Sequence, residues 1–249
     1  VKYCFIIPNY NHIDGFDSLI SKLSVYSLPI IVVDDASTES VKSQLLTIAQ
    51  QNPMVVLCHH RFNQGKGGAV QTGLNKAIEL GFSHALQVDA DGQHNLQDID
   101  VFLSLSKANP DTLISGCPIY DESVPKHRYY ARYITHFWVC VETLSRELKD
   151  TMCGFRVYPL EAYDRLSSRS ALGKRMDFDI EVMVKLYWQK TPFKFVPTKV
   201  HYPENGLSHF NALDDNIRIS WMHTRLCFGM LWRSPDLLAR FIKRSFSKA

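Results

Sequence analysis

Four short apolar segments, at residues 3–8, 30–33, 54–58 and 84–88, each run into a polar cluster and then into a helically spaced stretch. This repetition constrains the chain more than any other feature. Phe16, Leu19, Ile20 and Leu23 recur at helix spacing, as do Leu45, Ile48 and Ala49 within residues 41–51. Residues 69–80 repeat the pattern with Val70, Leu74, Ala77 and Ile78, and Gly81 reads as the stop. A helix over 96–108 and a fifth strand over 112–117 continue the series. Strands alternating with helices predict a parallel, doubly wound α/β sheet. Ligands of such sheets bind beyond the carboxyl ends of the strands. The polar clusters at 9–11, 34–35, 63–68 and 89–94 all fall there, on one rim.

Beyond Gly116 the pattern loosens. A long helix is expected around 128–148, a short strand over 154–158, a helix near 180–189 and a strand over 194–197. A chain of 249 residues that is 45% hydrophobic is ample for one large core. A net charge of +3 gives no case for nucleic acid. The six cysteines show no paired spacing and read as reduced, buried thiols. The opening VKYCFIIP reads as a strand, not a signal peptide, and no run reaches the roughly 18 to 20 apolar residues of a membrane span. The expectation is a cytoplasmic protein, peripheral at the inner face of the membrane.

Each cluster has a bland reading beside its chemical one. Asp89 and Asp91, two residues apart at a strand end, point the same way and suit a hard cation, yet Asp91-Gly92 is also a turn signal. Asp34 and Asp35 suit a ribose or base, or else precede a helix capped by Ser37 or Thr38. The loop 63–68, NQGKGG, offers backbone amides and Lys66 to a phosphate, but it matches neither the Walker pattern nor GxGxxG. Asp177 and Asp179 open a helix, where one of them serves as a cap or a base. Glu181, four residues before Lys185, reads as a solvated ion pair.

Taken in order, IPNYN (7–11), VVDDAST (32–38), NQGKGGAVQTGL (63–74), VDADGQH (88–94), CGFRVYP (153–159) and FDIEV (178–182) resemble the family 2 glycosyltransferases of the GT-A fold. The likeness covers most of residues 1–205 and is closer to the branch of dolichyl- and polyprenyl-phosphate sugar synthases. It implies a Rossmann-like, mostly parallel sheet flanked by helices, a UDP- or GDP-linked sugar donor, and Mg2+ or Mn2+. It implies nucleotide contacts at Pro8, Tyr10, Asn11, Asp34 and Asp35, with Lys66 at the diphosphate. It implies metal contacts at Asp89, Asp91 and Gln93. It also implies Asp179 as base or acceptor-positioning residue and Arg156 near the reacting atoms. The related synthases often carry Ser-Lys where this chain has Ser208-His209, which leaves His209 as a phosphate or metal contact and puts a simple transfer of the acceptor in doubt.

The tail beyond Trp221 mixes bulky apolar and basic residues. It reads either as an amphipathic helix in a membrane interface or as a helix packed on the catalytic domain or in a dimer contact. The expected division is a catalytic domain over 1–210 and a helical segment over 211–249. The expected reaction is inverting, metal-dependent transfer of a sugar to a lipid-linked acceptor, either a polyprenyl phosphate or a lipid or polyene hydroxyl. The competing readings are a nucleotidyltransferase that forms sugar nucleotides and a non-catalytic nucleotide-sugar-binding protein.

Overall fold

The structure, a computed structural model, describes residues 1–119, 126–199 and 212–246. Ser208 and His209 lie outside the described residues. Seven strands form one sheet: β1 (Tyr3–Asn9), β2 (Ile30–Asp34), β3 (Val55–His59), β4 (His84–Gln87), β5 (Leu113–Ile119), β6 (Arg156–Pro159) and β7 (Phe193–Lys199). Their order is β3-β2-β1-β4-β6-β5-β7. The first four are mutually parallel, and β5 is parallel to β7. Strand β6 runs antiparallel to both neighbours, so the sheet is mostly rather than wholly parallel. That reversal matters for the site: it brings the start of β6 to the rim where β4 ends, with Arg156 beside Gln87.

Period-two burial on the strands feeds two cores. Cys4, Ile6, Ile31, Val33 and Ala85 face one side; Phe5, Ile7, Ile30, Val32 and Leu86 face the other. The second side is covered by α1 (Phe16–Ser24), α2 (Glu39–Gln51) and α4 (Ile99–Ala108). The first is covered by α3 (Lys66–Glu79), α6 (Leu160–Ser167), α7 (Phe178–Trp188) and, further out, α5 (Lys126–Thr143) and α8 (Ala212–Phe246). Helix α7 is buried almost all round, from Phe178 to Tyr187, which is why its sequence lacks a polar face.

Three local expectations are corrected. The glycine-rich stretch is not a loop up to Gly68, because α3 begins at Lys66. Gly67 is there for close approach: a Cβ would strike the Phe178 side chain and the backbone of Lys174 and Arg175. Neither Ser37 nor Thr38 caps α2 through its side chain; Ser37 Oγ instead accepts the Asn11 amide at 2.8 Å. Glu181 is not solvated. It is 1% exposed, accepts the Gly173 amide at 2.6 Å and meets Lys185 at 2.9 Å and Arg225 at 3.5 Å.

Helix α8 packs on α5 and α7 and buries Met222, Leu226 and Leu237. Full burial of such side chains contributes about 1.5–3 kcal/mol each. Two of its arginines stack on rings of α7: Arg233 lies over the Trp188 ring at 4.5 Å and Arg240 over Tyr187 at 5.1 Å. His223 Nδ1 meets Glu142 Oε1 at 2.6 Å, a buried pair that ties α8 to α5. Burial raises the Glu142 carboxyl and His223 opposes that rise. The outer face of α8 carries Ile217, Trp221, Phe228, Leu231 and Trp232, with Phe228 70% and Trp232 87% exposed. Among the described residues no helix is long and apolar enough to cross a membrane.

Candidate active site

Two groups of carboxylates stand at the carboxyl edge of the sheet, and their surroundings differ. At the ends of β1 to β3, Asn9, Asp34 and His59 are in register. Asp34 is wholly buried, accepting the Ser37 amide at 3.1 Å and meeting His59 Nδ1 at 3.1 Å. Asp35 accepts the amides of Gln64 and Gly65 at 2.7 Å each and meets His60 Nδ1 at 2.7 Å. Asp34 therefore shapes the turn into α2 and Asp35 the turn into α3, and their oxygens are engaged within the protein. Asn11 sits at φ 57° and accepts the Thr38 amide at 2.9 Å, which folds the segment after β1 onto the start of α2. Pro8 and Tyr10 are partly exposed on the same edge.

The second group is charged on both sides. Lys66 Nζ, at the first residue of α3, lies 2.8 Å from Asp89 Oδ2 and 3.4 Å from Asp179 Oδ2. Asp179 Oδ1 faces Arg156 at 3.4 Å, and the same guanidinium nitrogen donates to the Asp179 carbonyl at 3.0 Å. Arg156 is fully buried and donates to the Thr151 carbonyl at 2.7 Å and to Tyr158 Oη at 3.3 Å. Tyr158 donates to Gln87 Oε1 at 3.3 Å, and Gln87 Nε2 donates to Asp89 Oδ1 at 3.1 Å. The contacts close a ring: Asp89, Lys66, Asp179, Arg156, Tyr158, Gln87 and back to Asp89. Gly154 packs against it so tightly that a Cβ there would stand 2.6 Å from Asp89 Oδ2.

The ring sets the charges. Burial would push the Asp89 carboxyl up, but Lys66 and then His94 outweigh it and hold it well below the usual carboxylate range. Burial would likewise depress the Lys66 ammonium, but Asp179 and Asp89 outweigh it and raise its pKa. Tyr158 is pushed up to about 12 by burial, so it stays a neutral donor within the ring.

The 88–94 segment supplies the rest. Asp91 is exposed at the rim, and its Oδ1 accepts the Gln93 amide at 3.1 Å, so the turn reading describes its local geometry. His94 stacks on Phe155 with ring centroids 5.0 Å apart. Its Nε2 lies 3.4 Å from Asp89 Oδ2 without the alignment of a hydrogen bond, and both ring nitrogens are buried without a hydrogen-bond partner. Among the described residues no three His, Cys, Asp or Glu side chains are grouped closely enough to hold an ion by themselves. The donor types still fit one: two carboxylates and an amide at Asp89, Asp91 and Gln93 suit magnesium or manganese, which commonly take one or two carboxylates plus substrate phosphates. The orphaned nitrogens of His94 beside Asp89 mark the same spot as unfinished.

Sequence reasoning missed Gln87, Tyr158, Gly154 and His94. His94 stood within the quoted VDADGQH, and its signal was a histidine directly after a metal-type donor set. The others acquire meaning only through the pairing of β4 with antiparallel β6.

A cleft of about 210 Å³ opens near this edge, lined by Cys117, Arg132, Thr135, His136, Lys149 and Thr151 among others. Arg132 pairs with Asp150 at 2.9 Å. The 150–154 segment thus has the cleft at one end and Asp89, through Gly154, at the other.

A dolichyl-phosphate beta-glucosyltransferase of Trichomonas vaginalis is 27% identical over an alignment of 205 residues that covers 74% of this chain and 61% of that protein. A dolichyl-phosphate beta-glucosyltransferase of Dictyostelium discoideum is 27% identical over an alignment of 217 residues that covers 83% of this chain and 64% of that protein. The chain thus spans a little over three fifths of the length of these relatives. The crystal structure of S. aureus TarS 1-349 in complex with UDP-GlcNAc superposes with a TM-score of 0.61 at 16% identity, covering 99% of this chain and 73% of that one, a likeness of fold. The family described as Glycosyl transferase family 2 matches residues 4–167, from β1 through α6. With its rim of carboxylates on a mostly parallel sheet, the chain belongs to glycosyl transferase family 2 and has the GT-A fold.

Proposed function

We propose that the protein is a metal-dependent, inverting glycosyltransferase that moves a sugar from a nucleotide-diphosphate sugar to a polyprenyl phosphate. The observation that carries this is the ring joining Asp89, Lys66, Asp179 and Arg156 at the carboxyl edge of the sheet. The names of the dolichyl-phosphate relatives and the UDP-GlcNAc complex of TarS support it.

In this reading the turn organised by Asp35, with Pro8, Tyr10 and Asn11, receives the nucleotide, and Lys66 faces the diphosphate. A divalent ion held by Asp89, Asp91 and Gln93 would stabilise the charge that develops on the leaving diphosphate. The acceptor attacks the anomeric carbon from the opposite side. Asp179 has one oxygen toward Lys66 and the other toward Arg156, which leaves neither placed to take a proton from a hydroxyl. A phosphate is already anionic near neutral pH and requires no base. The arrangement therefore favours a phosphate acceptor, with Asp179 as a positioning residue. The cleft lined by Lys149 and by Arg132, which is braced by Asp150, offers cationic groups for that phosphate.

The exposed apolar face of α8, with Trp221, Phe228, Leu231 and Trp232, gives the protein a surface to rest on a bilayer while a lipid-linked acceptor enters. The inner face of the cytoplasmic membrane is the expected place. The expected division into a catalytic domain over 1–210 and a tail stands beside the tight packing of α8 on α5 and α7.

The test is incubation with a panel of UDP- and GDP-sugars, manganese, and either a polyprenyl phosphate or a polyprenol. Release of nucleoside diphosphate that requires the phosphate supports the proposal. Release with the polyprenol alone shifts the acceptor to a hydroxyl. Pyrophosphate release from a nucleoside triphosphate and a sugar phosphate would replace it with the nucleotidyltransferase reading.

A further inference from the structure

The Asp89 carboxylate is not waiting for a cation: it already holds one. Lys66 Nζ sits 2.8 Å from Asp89 Oδ2, and Gln87 Nε2 takes the other oxygen at 3.1 Å. A divalent ion and an ammonium cannot share that oxygen without strong repulsion between them. The backbone under Lys66 is pinned. The Gly68 amide donates to the Lys174 carbonyl at 2.8 Å, Gln71 Nε2 donates to the Gly173 carbonyl at 2.8 Å, and Gly67 packs so closely on Phe178 that a Cβ would not fit between them. Only the side chain is free to swing, and Asp179 Oδ2, 3.4 Å away, offers the ammonium a second partner.

We infer that Lys66 is a resident cation that competes with the divalent ion for Asp89, so that the metal binds only as the lysine side chain moves off toward Asp179 or toward the donor's diphosphate. This rests on the metal reading above and adds a gate to it. Without donor, Lys66 neutralises Asp89 and keeps metal affinity low. With donor, the diphosphate provides both an anionic partner for Lys66 and further oxygens for the ion, so metal and donor favour each other's binding. The pinned backbone makes this a side-chain exchange rather than a movement of α3.

The test uses the full chain and manganese alone, with no nucleotide, following the loss of the free Mn2+ signal by electron paramagnetic resonance. Lys66→Met is expected to bind Mn2+ at least roughly tenfold more tightly than the wild type, the effect of removing one close, partly buried competing charge. Lys66→Arg, which keeps the charge, stays near the wild-type affinity. Adding Asp89→Asn to Lys66→Met abolishes the gain. Should Lys66→Met lose stability because Asp89 and Asp179 then repel, Mn2+ raises its melting temperature more than that of the wild type. Equal or weaker Mn2+ affinity in Lys66→Met overturns the competition. If binding is also lost in Asp91→Asn, the metal site itself survives that result. No Mn2+ binding in any variant overturns both.

Discussion

The two acidic clusters on the rim look alike in sequence and are built differently. Asp35 is held by two backbone amides and a histidine, and Asp34 by an amide and a histidine. Asp89 and Asp179 are instead held by the charges of Lys66 and Arg156, beside a histidine whose ring nitrogens have no hydrogen bond. Carboxylates held mainly by backbone amides fix a loop, because a backbone donor cannot leave without moving the chain. Charge-bonded carboxylates can trade one cation for another at modest cost. The first cluster therefore reads as scaffold for the nucleotide turn and the second as the place where chemistry happens.

Substitutions can break this contrast. The largest effect is expected at Asp89→Asn: turnover falls by about a thousandfold or more, as for loss of a group that stabilises transition-state charge, in a variant that circular dichroism shows still folded. A folded Asp89→Asn variant with wild-type turnover would place the chemistry elsewhere. Asp35→Ala should do the reverse. It leaves the buried Gly65 amide, the half-buried Gln64 amide and His60 without their acceptor and should cost about 3–5 kcal/mol in unfolding free energy, with activity falling as the nucleotide turn loosens. A smaller effect, with a pH signature, is expected at the Glu142 and His223 pair. Burial raises the Glu142 carboxyl above its unfolded value, so ionised Glu142 weighs against the fold as pH rises through its folded pKa. His223→Ala removes the group that offsets this and should cost about 2–4 kcal/mol at pH 8 but visibly less at pH 5, read by thermal melts at both. The smallest stability change is expected at Trp232→Ser, within about 0.5 kcal/mol since the ring is 87% exposed, while sedimentation with anionic vesicles drops. Unchanged vesicle binding for Trp232→Ser combined with Phe228→Ser would remove the membrane role of that face.

Much of the fold was legible because strand and helix periods are strong signals: the four strand and helix pairs from β1 to α4 lie where the apolar spacing places them. What escaped was non-local. Four-residue β6 carries no sign of its direction, yet its reversal is what sets Arg156 beside Gln87. The glycines at 67 and 68 look like loop residues, and only the packing of Phe178 and Gln64 shows that they let a helix start under another segment. Glu181 follows a surface-like spacing with Lys185, but Arg225 from α8 and the Gly173 amide bury it. In the site, Asp89, Lys66, Asp179 and Arg156 were singled out from sequence and the structure brings them together. The neutral links, Gln87 and Tyr158, were silent because an amide and a phenol carry no chemistry until a neighbour gives them one.

The most direct test of the central claim is a mass spectrum of the lipid product. Wild-type protein, given a polyprenyl phosphate, manganese and its nucleotide sugar, should yield a lipid heavier by one glycosyl unit and still bearing a single phosphate. A folded Asp89→Asn variant should yield none. The same product from that variant, or a wild-type reaction that leaves the lipid's mass unchanged while consuming the nucleotide sugar, would contradict the account.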